Sequence, residues 1–145
     1  MAASGNPYTG SCHCGAIAFS YWTDRAPGEW AVRACQCSFC RAHAALSTSD
    51  PAGRLEFRQV AGGAMHRYRF GQRITDFLVC PECGVYVGAT METPLGHFGI
   101  INVHALRPIP AGLAAAAPMN YGSESGEQRT ARRTERWTPV AWAGA

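Results

Sequence analysis

Between residues 16 and 22 the chain alternates, with Ile17, Phe19 and Tyr21 on one side and Ala18 and Ser20 on the other. A two-residue period predicts a half-buried β-strand. Asp24 to Gly28 carries Pro27 and Gly28 and reads as a turn. A short strand is expected over residues 30–34, then one or two helical turns over residues 38–45. Further strand patterns occupy residues 55–60, 65–70, 74–79, 85–90 and 98–103, punctuated by Gly62-Gly63 and Phe70-Gly71. Many short strands with glycine-containing turns predict a mainly β, antiparallel architecture. Residues 1–10 are polar and read as loose. The alanine run 114–117, bounded by Pro110 and Pro118, reads as a linker or a loose turn. Beyond it, residues 124–136 are polar and helix-compatible, and Trp137 and Trp142 are expected to pack this tail onto the rest.

Composition narrows the partners. The chain has 145 residues, enough for one domain with a modest core, and small domains often need a metal or disulfide staple. Its net charge is +3, and all 13 basic residues are arginine. The only cluster, Arg129, Arg132, Arg133 and Arg136, is interleaved with threonine and acid and reads as the solvated face of a helix. Nucleic-acid binding is not expected, because a binder shows a wider basic patch. Residues 1–10 lack the basic start and apolar run of a signal peptide, and no stretch has the length of a membrane span. The expected location is the cytoplasm, where thiols stay reduced.

Seven cysteines then need another account, and their odd number also argues against a disulfide framework. They fall into three groups: Cys12-His-Cys14-Gly15, Cys35-Gln-Cys37-Ser-Phe-Cys40 and Cys80-Pro-Glu-Cys83-Gly84. Zinc takes four tetrahedral ligands and favours thiolate. Cys12, Cys14, Cys80 and Cys83 supply one complete set, a structural site. Gly84 permits the left-handed backbone that such a knuckle needs. Cys35, Cys37 and Cys40 supply three thiolates and no obvious fourth, and catalytic zinc sites keep one position open. A thiol or water entering there would be acidified. Two other readings stay open: one closed site with three bystander thiols, and iron in a rubredoxin-like site.

In their order and spacing these motifs resemble the glutathione-dependent formaldehyde-activating enzyme family, also called the centromere protein V family. The stretches that carry the likeness are Gly10-Ser-Cys-His-Cys-Gly-Ala-Ile-Ala-Phe, Cys-Gln-Cys-Ser-Phe-Cys-Arg and Phe77-Leu-Val-Cys-Pro-Glu-Cys-Gly, with Asn102-Val-His-Ala-Leu as a closing strand. The resemblance implies a zinc-pinned β-tent with a short C-terminal helix, one domain over 1–145 whose core is residues 8–106 and whose tail is 107–145. It implies a structural zinc on Cys12, Cys14, Cys80 and Cys83, and a second zinc on Cys35, Cys37 and Cys40 where the glutathione sulfur would sit. The reaction implied joins formaldehyde to glutathione and, in reverse, is that of a carbon–sulfur lyase. The partner would be a small thiol–aldehyde adduct.

Around the open group, Gln36, Ser38 and Phe39 are expected to line the site, and Arg41 is a candidate for a substrate carboxylate. His43, three residues after Cys40, is a candidate ligand or proton shuttle. His13, between two ligands, is expected to be exposed, and Asp76 and Glu82 read as solvated charges. Besides the lyase, two functions compete: a non-catalytic zinc-binding thiol carrier, and a structural interaction module. Only the enzyme turns over substrate.

Overall fold

The computed structural model describes residues 5–61 and 65–142, so the turn expected at Gly62-Gly63 lies outside the described residues. The chain is mainly β. Strands β1 (Tyr8–Ser11), β2 (Ile17–Trp22) and β3 (Arg33–Cys35) precede a short helix, α1 (Ser38–Ala42). Next come β4 (Ser47–Thr48), β5 (Arg54–Gln59), β6 (His66–Tyr68), β7 (Asp76–Val79), β8 (Tyr86–Thr93) and β9 (Gly96–Asn102). The tail adds β10 (Ala117–Met119), helix α2 (Gly126–Arg136) and β11 (Thr138–Trp142). No helix among the described residues is long and apolar enough to cross a membrane.

The strands form two connected layers. One runs β1-β2-β5-β11, and the other runs β6-β7-β8-β9 and continues from the far edge of β9 through β4 to β3 and β10. Strand β11 joins them. Its first residues, Thr138 and Pro139, pair with Gly99 and Phe98 of β9, and Val140 to Trp142 pair with β5. Two pairings depart from the antiparallel expectation: β11 runs parallel to β5, and β10 parallel to β3. Both strands return from the tail through long connections, which is what parallel pairing requires.

Residues 5–10 are not loose as a whole, because β1 pairs along the length of β2. Gly10 permits this approach: a Cβ there would collide with the Phe19 ring and the Ala105 carbonyl. The alanine run does not end as a linker, since Ala117 opens β10. Strand β2 is buried on both faces rather than one. Arg58 lies over its polar side and donates to Ser20 Oγ at 3.0 Å.

Two apolar cores result, one under each cysteine group. Ile17, Phe19, Leu55, Phe57, Leu78 and Val87 pack with Cys12 and Cys80. Phe77, Tyr86, Ala89, Met91 and Trp137 pack with Cys40. The buried Asp50 ties the tail to both layers. Its backbone N–H donates to Thr138 Oγ1 at 2.8 Å, and its carboxylate accepts from Thr23 Oγ1 at 2.5 Å. At the crossing of the layers, a Cβ on Gly88 would press into the Ile100 carbonyl and lie 2.9 Å from the Phe57 ring. Gly88→Ala is therefore expected to destabilise the fold by about 1–3 kcal/mol through overpacking. A thermal melt checks this, and a midpoint equal to that of the parent would show that the layers can part to admit a methyl group.

Candidate metal centres and the pocket above them

Cys12 and Cys14 lie between β1 and β2, and Cys80 and Cys83 lie between β7 and β8, so the first group clasps two hairpins. The two turns are built alike. Gly15 and Gly84 follow the second cysteine of each pair with φ of 86° and 78°, the left-handed region where glycine is free of Cβ strain. Each glycine N–H closes its turn on the first cysteine's carbonyl, at 3.2 Å to Cys12 and 2.9 Å to Cys80. The turns aim amides at sulfur. Ile17 donates to Cys12 Sγ at 3.4 Å, and the Glu82 and Cys83 amides donate to Cys80 Sγ at 3.4 Å.

Sulfur spacing tests the metal directly. Cys14 Sγ lies 3.7 Å from both Cys12 Sγ and Cys80 Sγ. Four sulfurs about 2.3 Å from a tetrahedral zinc stand about 3.8 Å apart, so the donor set fits. All seven cysteines are free thiols, and Cys12 and Cys80 are 0% and 1% exposed. Four thiols held this close, two of them in the core, resist ionising together without a cation.

The second group is built differently. Cys35 ends β3, Cys40 lies inside α1, and Cys37 caps that helix, its Sγ accepting from the Cys40 amide at 3.4 Å. The three sulfurs lie within 4.8 Å of one another. Hydrogen bonds from the Cys35 and Cys40 thiols hold the Cys37 thiol far below its ordinary pKa, with help from the Cys40 and Phe39 amides. The same Cys35 and Cys37 neighbours push the Cys40 thiol far above it. The thiols thus ionise as a set. Three like charges this close disfavour one another, so the full set of thiolates calls for a positive charge beside it. Among the described residues no fourth His, Cys, Asp or Glu joins this group.

A cavity of about 160 Å³ opens over the three cysteines. Gln36 lines it with them, and its Nε2 donates to the Ala34 carbonyl at 2.8 Å. Ser38 and Arg41 are exposed and outside the lining. Phe39 also lies outside it, in an aromatic group with Phe77, Tyr86 and Phe70 at centroid distances of 4.6, 5.1 and 5.6 Å. The His43 ring rests 4.5 Å from that of Phe39 and is not grouped with the sulfurs. His13 is exposed, as expected from its place between two ligands. Asp76 is ion-paired with Arg69 at 2.6 Å, and Glu82 is exposed.

The rest of the lining includes arginines that the sequence pattern did not single out for the site. Arg33 lines the cavity from β3, Arg73 from the connection between β6 and β7, and Arg129, Arg132 and Arg133 from α2. This corrects the reading of that helix face as solvated. The helix folds back because Arg132 and Arg133 stack on Tyr121 and Trp137, at 3.5 and 4.5 Å from the ring centroids. The spacing i, i+3, i+4 was the available signal, since it puts three guanidinium groups on one face. Among the described residues, two buried side-chain polar atoms lack a hydrogen-bond partner, Tyr86 Oη and Arg133 Nε. Tyr86 packs in the core cluster that holds Cys40, and Arg133 lines the cavity above the three cysteines. Unmet buried polar atoms are rare in native folds, and here they gather at one site.

Residues 7–120 match the sequence profile of a family described as glutathione-dependent formaldehyde-activating enzyme. A protein from Rhodobacter sphaeroides of known crystal structure is similar in fold, with 25% identity, 75% of this chain and 99% of that one covered, and a TM-score of 0.54.

Proposed function

Because this chain belongs to the glutathione-dependent formaldehyde-activating enzyme family, we propose that it is a zinc-dependent enzyme of the carbon–sulfur lyase type. Its substrates would be glutathione, or another thiol, and formaldehyde or a related aldehyde. The observation that supports this most is the difference between the two cysteine groups. One has four sulfurs clasped in the fold, and the other has three on the floor of a cavity. Four thiolates close a tetrahedral site and three leave a position for substrate. A zinc ion held by Cys35, Cys37 and Cys40 would supply the Lewis acidity that lowers the pKa of an arriving thiol.

The chain's own residues contribute position and charge. The arginine wall favours the thiolate over the thiol, because a nearby positive charge stabilises an anion. The walls from Phe77 and Trp137 present apolar surface to the reacting end. In the addition, the sulfur bonds to the aldehyde carbon, the carbonyl π pair moves to oxygen, and the thiol proton ends on that oxygen. No oxidant or reductant is consumed. Seven free thiols and a glutathione substrate both suit the reducing cytoplasm.

Glutathione adds to formaldehyde without help, so the test is a rate above background. Magnetisation-exchange NMR on equilibrated glutathione and formaldehyde reads that rate directly. Zinc-loaded protein is expected to raise it in proportion to its concentration. Glutathione binding with exchange left at background would instead identify a thiol carrier.

A further inference from the structure

The cavity is walled by positive charge that the chain itself leaves unmet. Arg33, Arg73, Arg129, Arg132 and Arg133 line it, and no aspartate or glutamate does. One carboxylate, Glu124, serves two of them, 3.4 Å from Arg129 Nε and 2.7 Å from Arg132 Nε. The other three, Arg33, Arg73 and Arg133, have no carboxylate partner among the described residues. Arg33 donates to the Ser49 hydroxyl at 2.7 Å, and Arg133 donates to the Thr75 hydroxyl and lies over Trp137. Arg133 Nε is buried with nothing to donate to. An unpaired buried cation and an orphaned donor each cost stability. A ligand that brings acceptors would recover both costs.

The placement follows from local geometry. Arg33 and Cys35 are two apart on β3, so both side chains face the cavity side of that strand. Helix α2 lies wholly beyond the residues matched by the family profile, so Arg129, Arg132 and Arg133 come from a segment outside the matched region, while Arg33 lies within it. Guanidinium forks bind carboxylates through paired, charge-assisted hydrogen bonds, which strengthen when water is excluded. Resting on the reading that a thiol enters at Cys35, Cys37 and Cys40, we propose that β3 and α2 form a carboxylate-recognition wall. In it Arg133 and Arg33 select a carboxylate-bearing thiol over a neutral one.

The test is calorimetric titration of the zinc-loaded full chain with glutathione, glutathione diethyl ester and S-methylglutathione. The ester keeps the thiol and loses both carboxylates, while the thioether does the reverse. The ester is expected to bind about 10- to 100-fold more weakly than glutathione, the effect of one or two charge-assisted hydrogen bonds. Arg133→Met, which keeps a stem against Trp137, is expected to remove most of that difference, and Arg33→Met part of it. Equal affinity for glutathione and its ester would overturn the proposal, and that comparison needs no variant to fold. So would an equal loss of both ligands in Arg133→Met, which would make Arg133 a counter-ion of the sulfur group. Failure of the thiol reading looks different: glutathione and S-methylglutathione would bind alike while the ester penalty persisted. No binding of any of the three would refute both.

Discussion

Cys83→Ala is expected to leave a chain with no cooperative thermal transition. Cys83 is one of four sulfurs that clasp the β1–β2 turn to the β7–β8 turn, and the pair Cys14 and Cys80 is 66 residues apart in the chain. Closing so long a loop restricts the unfolded chain strongly. Structural zinc sites of this kind contribute an apparent 10–16 kcal/mol, of the same order as the ~5–15 kcal/mol by which whole domains are stable. Removing one thiolate of four forfeits a large part of that. It also strands three others, two of which are buried in the core with Ile17, Phe19 and Leu78. Near-ultraviolet circular dichroism against temperature, with zinc counted per chain, checks this. Strong chelation of the parent protein should reproduce the loss. A variant that melted cooperatively within a few degrees of the parent would mean that the apolar cores hold the fold alone.

Both cysteine groups were legible in the sequence because ligand spacing is a local property. Cys-x-Cys-Gly and Cys-x-x-Cys-Gly encode a turn and two thiolates within five residues, whatever the rest of the chain does. The strands from β5 to β9 were legible from equally local signals, short apolar or β-prone stretches punctuated by glycine-containing turns. Strands β1, β4 and β10 carry no such signal, and in β11 the alternation of Thr138, Val140 and Trp142 is interrupted by Pro139. Gly10, Pro118 and Pro139 argue against strand by propensity, and their pairing is imposed by neighbours already in place. The arginine wall was hidden by a similar dependence. Helix α2 buries no residue completely, so although the i, i+3, i+4 spacing puts three arginines on one face, no apolar stripe marks that face as inward. What turns it inward is Trp137 at its end, in the core beside Cys40, and Glu124 before it, accepting from two of its arginines. Phe39 was misplaced for the converse reason. Cys37 and Cys40 on either side of it line the cavity, but its ring is drawn to Phe77 and Tyr86.

Cys37 gives the sharpest separation of metal chemistry from folding. Its sulfur has two local roles: it caps α1 by accepting from the Cys40 amide, and it completes the three-thiol group. Alanine removes both roles and serine removes only one, because serine is among the best helix caps and a poor ligand for a soft metal site. Cys37→Ala is therefore expected to lose about 1 kcal/mol of stability, and Cys37→Ser less. Neither should unfold, since α1 is a five-residue helix at the edge of the fold and the four-sulfur clasp is untouched. Both are expected to lose one zinc per chain, at least 100-fold in glutathione affinity, and all exchange above background. Two thiolates cannot hold the ion against competition, and the site then has nothing to acidify the thiol. Metal content, calorimetry and exchange NMR on the two variants read these effects independently. Glutathione binding that survived in Cys37→Ser with the second zinc gone would place the thiol on the arginine wall alone. Zinc retained at two per chain would show that a ligand other than these three cysteines completes the site.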